Sequence, residues 1–132
     1  MTAILVAAVL VAIPAGDRAE DCRYMTADGH PGYSTGEVSK AIRCVADHLG
    51  VDEDDAISVA ECESHLRPRA VNGSYRGVYQ IGDVWEAWVR SYREIASRFD
   101  LRLSVWNARA NVTIAIARAR FGWDPWRGEC FP

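Results

Sequence analysis

Four cysteines, Cys22, Cys44, Cys62 and Cys130, spread over a chain of 132 residues, constrain this sequence more than any other feature. No C-x-x-C pair occurs, and His30, His48 and His65 show no metal-ligand spacing, so a zinc site is a poor reading. An apolar run from Ala3 to Ile13 precedes the cysteines. As a helix it spans about 16 Å, too short for a hydrocarbon core of roughly 30 Å. With Pro14 and Ala15 behind it, the run reads as a secretory signal over residues 1–15. Export and four cysteines together point to two disulfides. Three pairings are open, and arithmetic alone does not choose among them.

Residues 16–35 carry Gly29, Pro31 and Gly32 and read as an irregular arm. The remainder, 36–132, reads as one mainly α-helical domain. Ser34 or Thr35 caps a helix from about Glu37 to Leu49, whose apolar face is Val38, Ile42, Val45 and Leu49. Asp52 caps a second, ending near Ser64, with Glu53, Asp54 and Asp55 favouring the positive end of its dipole. Pro68, Asn72, Gly73, Gly77 and Gly82 break any helix over 65–82, and Gly77–Ile81 is the expected extended or hairpin segment. A third helix is expected from Val84 to Arg98, its stripe of Trp85, Trp88, Val89, Tyr92, Ala96 and Phe99 turned mostly to the core. A fourth runs from about Asn107 to Arg120, with Ala108, Val112, Ala115 and Ala119 as its tight face. The tail from Gly122 is non-helical and returns Cys130 to the body.

The formal net charge is −3, with acidic residues concentrated before residue 65 and arginines after it. These arginines are interleaved with carboxylates, which favours a solvated face over a nucleic-acid surface. No Gly-rich phosphate loop is present, and no cofactor is implied.

Glu63 stands out. Ala56, Val59 and Ala60 lie seven, four and three residues before it and share its helix face. Burial and the negative end of the helix dipole both disfavour its ionised form, which raises its pKa as a general acid near neutrality requires. The competing reading is a carboxylate at a frayed helix end, paired with Arg67 or Arg69. Glu61 points to nearly the opposite side.

The stretch Glu63-Ser64-His65-Leu66-Arg67-Pro68-Arg69-Ala70, followed by Gly77-Val78-Tyr79-Gln80-Ile81, resembles the lytic transglycosylase (SLT) family of the lysozyme superfamily. Trp85, Asn111-Val112 and Gly122-Trp123-Asp124-Pro125-Trp126 follow in the family's order, and Cys62-Glu63-Ser64 with the Trp-to-Cys tail resembles its resuscitation-promoting factor branch. The resemblance covers about residues 52–130. It implies a lysozyme-like small helical domain, exported, monomeric and without a membrane span once the signal is removed. Peptidoglycan glycan strands are the implied partner, and cleavage of the MurNAc–GlcNAc β-1,4 bond is the implied reaction. Glu63 is then the single acid/base, and the 6-hydroxyl attacks to give a 1,6-anhydro product. The same resemblance pairs Cys62 with Cys130 and leaves Cys22 with Cys44. The family's Gly-Leu-Met-Gln motif reads Gly77-Val78-Tyr79-Gln80 here, and the loop Asn72–Arg76 also departs from pattern.

Each remaining site candidate has a structural alternative. Gln80 either orients the glycan or is a loop glutamine, and Ser64 either bonds substrate or caps its helix. Asn111 either satisfies the end of the Glu63 helix or contacts substrate. Tyr75, Tyr79 and Trp126 are candidate stacking surfaces for sugars, whereas Trp123 is assigned to the core. No second acid has motif support; Asp83 and Glu86 are bare possibilities. Two other functions stay open: a muramidase that uses water at the same site, and a cell-wall glycan-binding module with a silent site.

Overall fold

The structure, a computed structural model, describes Cys22, residues 34–99 and residues 103–131. The expected leader and most of the expected arm lie outside the described residues. Among those described are five α-helices, one two-stranded antiparallel hairpin, one 3-10 turn and two disulfides.

Local chemistry sets the ends of the first two helices. In α1 (Thr35–Leu49), Ser34 Oγ accepts from the Glu37 N–H at 3.1 Å, and Gly50, at φ 70°, closes the other end with its N–H on the Ala46 and Asp47 carbonyls. In α2 (Glu53–Ser64), Asp52 Oδ1 accepts from the Asp55 N–H at 2.9 Å. Such side-chain caps satisfy amides that the helix itself leaves unpaired and are each worth about 1 kcal/mol. Val38, Ile42 and Val45 of α1 are buried, as are Ala56, Val59 and Ala60 of α2, and the two helices pack together.

The hairpin lies one step earlier than Gly77–Ile81. Strand β1 (Val71–Asn72) pairs with β2 (Tyr75–Arg76), Val71 opposite Arg76 and Asn72 opposite Tyr75. Residues 77–80 form instead a turn closed by reciprocal Arg76–Ile81 backbone hydrogen bonds. The reason is long-range. Gly77, at φ 81°, lies so close to the later helix Ala108–Ala119 that a Cβ there would overlap Asn111 Nδ2 and stand 2.8 Å from the Val105 carbonyl. Only glycine tolerates both the backbone angle and the approach.

The expected third helix is two. Helix α3 (Trp85–Ser91) stops at Tyr92, whose φ −112° and ψ 24° leave the helical region, and α4 (Arg93–Arg98) follows it directly. The break turns Ile95, Ala96 and Phe99 inward, while Trp85, Trp88, Val89 and Tyr92 stay half-buried. In the first half of the expected stripe, Trp85, Trp88 and Tyr92 therefore pack against the core from its edge rather than lie inside it.

Helix α5 (Ala108–Ala119), capped by Asn107 Oδ1 on the Ala110 N–H, is buried almost all round. It is the central helix, against which α1, α3 and α4 pack, rather than an element with one tight face. The tail adds the 3-10 turn Asp124–Trp126. Trp123, Trp126, Tyr79 and Phe131 form a ring cluster there, with Trp123 and Trp126 5.2 Å apart and T-shaped. That geometry suits aromatic quadrupoles and adds about 0.5–1.5 kcal/mol per pair beyond area burial.

Cys62 on α2 bonds Cys130 in the tail, and Cys22 bonds Cys44 on α1. No helix among the described residues is long and apolar enough to cross a membrane.

Candidate active site

Glu63 occupies the last turn of α2, where Ala56, Val59 and Ala60 hold the same face against the core. Beyond it the chain turns sharply: His65 and Leu66 take φ of 54° and 63°. Across from them Gln80 takes φ 52°. These three are the non-glycine residues with positive φ among those described, and of them Gln80 lines the cleft that holds Glu63. Left-handed backbone at non-glycine positions is costly and persists only where the surroundings enforce it.

Between these turns and the tail lies a cleft of about 610 Å³. Glu63, Tyr75, Gln80, Trp88, Arg118, Trp126, Arg127 and Glu129 help to line it. Glu63 is half-buried, and its Oε2 is buried with no hydrogen-bond partner. Burial, and secondarily the charge of Glu129, raise its pKa from 4.5 to about 7. Among the described residues Glu63 forms no ion pair, so the frayed, Arg-paired alternative does not hold here. A carboxyl near pKa 7 is protonated in a large fraction of molecules at neutral pH and can act as a general acid.

The other candidates divide. Tyr75 is 53% exposed and its ring lies over Gly82, where a Cβ would come within 3.1 Å of it, so it presents an aromatic surface to the cleft. Gln80 lines the cleft, but its amide nitrogen donates to the Ala70 and Gly77 carbonyls, each at 3.0 Å. Its oxygen accepts no hydrogen bond among the described residues and is the group it can offer a ligand.

Tyr79, Asn111, Ser64 and Trp126 require correction. Tyr79 is 0% exposed, and its hydroxyl donates to the Ala56 carbonyl at 2.7 Å. It has no free ring face for a sugar, and burial pushes its phenol well above the usual value. Trp126 touches the cleft but is only 6% exposed; its Nε1 donates to the Tyr79 carbonyl at 2.9 Å and its rings pack on Trp88, Trp123 and Tyr79. It forms a wall rather than a stacking platform. Trp123 is core, as expected.

Asn111 is fully buried and meets neither substrate nor the α2 end. Its Oδ1 accepts from the Tyr79 N–H at 2.8 Å, and its Nδ2 donates to the Val105 and Arg76 carbonyls at 3.0 and 3.2 Å. Ser64 is buried too. Its Oγ donates to the Val78 carbonyl at 2.7 Å and accepts from the Arg67 N–H at 3.2 Å. Together the two side chains tie the 76–81 turn to α2 and α5, which places Gln80 opposite Glu63.

Sequence reasoning missed Glu129, Arg118 and Trp88 as cleft residues. Glu129 was within reach of inference. It adjoins Cys130 as Glu63 adjoins Cys62, so the Cys62–Cys130 disulfide sets the two acids side by side, with the Glu129 carbonyl 3.8 Å from Cys62 Sγ. Asp83 and Glu86 do not line the cleft.

Among the described residues the one group with metal-ligand spacing is Cys22, Cys44 and His48, and its two sulfurs are bonded to each other. A second depression, of about 460 Å³, lies where α1 meets α2 and does not include Glu63; of its acids, Asp52 caps α2, and Glu53 and Asp54 pair with Arg43. No protein-family model, curated protein or solved structure matches the chain.

Proposed function

We propose that the chain is an exported lytic transglycosylase with a lysozyme-like fold, cleaving the MurNAc–GlcNAc β-1,4 bond of peptidoglycan with Glu63 as acid and then base. The observation that carries this reading is Glu63 itself, a half-buried carboxyl with an unpartnered oxygen and a pKa raised to about 7 in an open cleft. Glu63 gives its proton to the leaving oxygen as positive charge develops at the anomeric carbon. The carboxylate so formed is disfavoured by burial and by Glu129, so it readily takes a proton back from the attacking 6-hydroxyl. That closes the 1,6-anhydro ring without water. Tyr75 supplies a stacking surface for the glycan and the Gln80 oxygen an acceptor for its hydroxyl or N-acetyl hydrogens. The two disulfides fit an oxidising, exported setting.

Glu129 favours a second reading. A second carboxylate in the same cleft can activate water, which makes the enzyme a hydrolytic muramidase. Digestion of purified sacculi, followed by product mass spectrometry, separates the two, because the anhydro product lacks one water. Glu63→Gln keeps the shape and removes the transferable proton, so activity is expected to fall at least about a hundredfold. Near-normal turnover in that variant overturns both readings.

A further inference from the structure

Arg118 sits on the last turn of α5, half-buried, and lines the same cleft as Glu63. A guanidinium carries five N–H donors in a fixed fork. Among the described residues Arg118 uses one of them, from Nη1 to the Gly122 carbonyl at 3.3 Å, and it forms no ion pair. The other cleft arginine differs: Arg127 Nη2 lies 2.8 Å from Asp124 Oδ1, so its charge is met within the protein. The two cleft acids do not meet the charge of Arg118 either.

A cleft-lining fork with free donors and no acid of its own is the arrangement that accepts an incoming carboxylate by two parallel hydrogen bonds. We infer that Arg118 is an anion subsite of the Glu63 cleft, and that the glycan bound there carries a carboxylate, on the saccharide or its acyl-peptide substituent, close to the bond being cut. The inference rests on the reading of Glu63 as the glycan-cleaving acid. It goes beyond that reading by assigning substrate choice to a residue outside the acid/base chemistry. A neutral N-acetylglucosamine oligomer offers this fork only uncharged hydroxyl and acetamide oxygens, which make the weaker, neutral-acceptor hydrogen bonds.

The test uses a soluble peptidoglycan fragment of defined length with its stem peptides, and the same fragment with its carboxylates converted to methylamides. KM is measured for both with wild-type protein, Arg118→Gln and Arg118→Lys. Charge-assisted hydrogen bonds predict a wild-type preference of about tenfold or more for the carboxylate form. In Arg118→Gln that ratio is expected to collapse towards one, and Arg118→Lys to restore part of it. An equal ratio in wild type and Arg118→Gln, or no preference in wild type, overturns the inference. Titration calorimetry with the same fragments reads the ratio as Kd even if neither fragment is cleaved. Binding preference without cleavage then sinks the glycosidase reading and keeps the subsite, whereas cleavage without preference does the reverse.

Discussion

Replacing Asn111 by alanine removes the side chain that holds the active-site turn to the central helix. Two main-chain groups lose their partner: the buried Tyr79 N–H, bonded at 2.8 Å, and the half-buried Val105 carbonyl at 3.0 Å. A buried group left unsatisfied costs about 1–3 kcal/mol. The Arg76 carbonyl loses a bond of 3.2 Å but keeps the Ile81 N–H at 2.9 Å, and a water entering the vacated volume can satisfy the Val105 carbonyl in part. The expected loss is therefore about 2–4 kcal/mol, a large share of the 5–15 kcal/mol typical of a domain. At about 4 °C per kcal/mol for this size, Tm falls by roughly 8–16 °C. Urea unfolding measures it, with the midpoint shifting at constant m. Asn111→Asp sharpens the test, because it keeps the acceptor for Tyr79 but turns a second oxygen towards two carbonyls. It is expected to be at least as damaging at neutral pH. An Asn111→Ala protein within about 1 kcal/mol of wild type refutes the assignment of Asn111 as the anchor of this turn.

The remaining expectations concern charge and cross-links. As the general acid, Glu63 must be protonated, so the pH–rate profile should fall on its alkaline side near 7, and Glu129→Gln should move that limb to lower pH. The limb should not reach 4.5, because burial is the larger cause; an unmoved limb would remove Glu129 from the site's electrostatics. Folding stability responds to the same proton. The native pKa lies above the unfolded one, so the contribution is complete below about 4.5 and is lost as pH rises through about 7. Relative to Glu63→Gln, the wild type should weaken across that window by about 1–2 kcal/mol, after allowance for solvent screening in the cleft; a flat difference contradicts it. Finally, Cys62 and Cys130 are 68 apart in sequence and Cys22 and Cys44 are 22 apart. Loop entropy gives about 4 kcal/mol for the longer link and about 3 for the shorter, as upper figures, so the paired serine variant of the longer link should unfold at lower denaturant. The reverse order would show that chain entropy is not the governing factor.

Much of this protein was legible because it is local. Ser34, Asp52 and Gly50 announce helix ends through side chains or backbone angles that act within four residues. The face shared by Ala56, Val59, Ala60 and Glu63 follows from a repeat of 3.6, and so did the raised pKa of Glu63. The disulfide pairing came from resemblance, not from spacing. Other features depended on contacts between distant segments. Nothing near Tyr92 signals a helix break, which follows from how Ile95 and Ala96 turn onto α5. Gly77 and Asn111 are 34 positions apart in the chain, yet their contact moves the hairpin to 71–76 and buries Tyr79.

The sequence by itself determined where the first two helices begin and end, which face each turns inward, and which carboxylate is displaced from water. Those properties depend on side-chain periodicity and on amides within one turn, both contained in a short window. Only the tertiary structure decided that Tyr79 and Asn111 are internal supports, and that Glu129 and Arg118 share the cleft with Glu63. Burial and electrostatic neighbourhood are properties of the three-dimensional surroundings, and here these are assembled by a disulfide and a buried amide that join segments far apart in the chain.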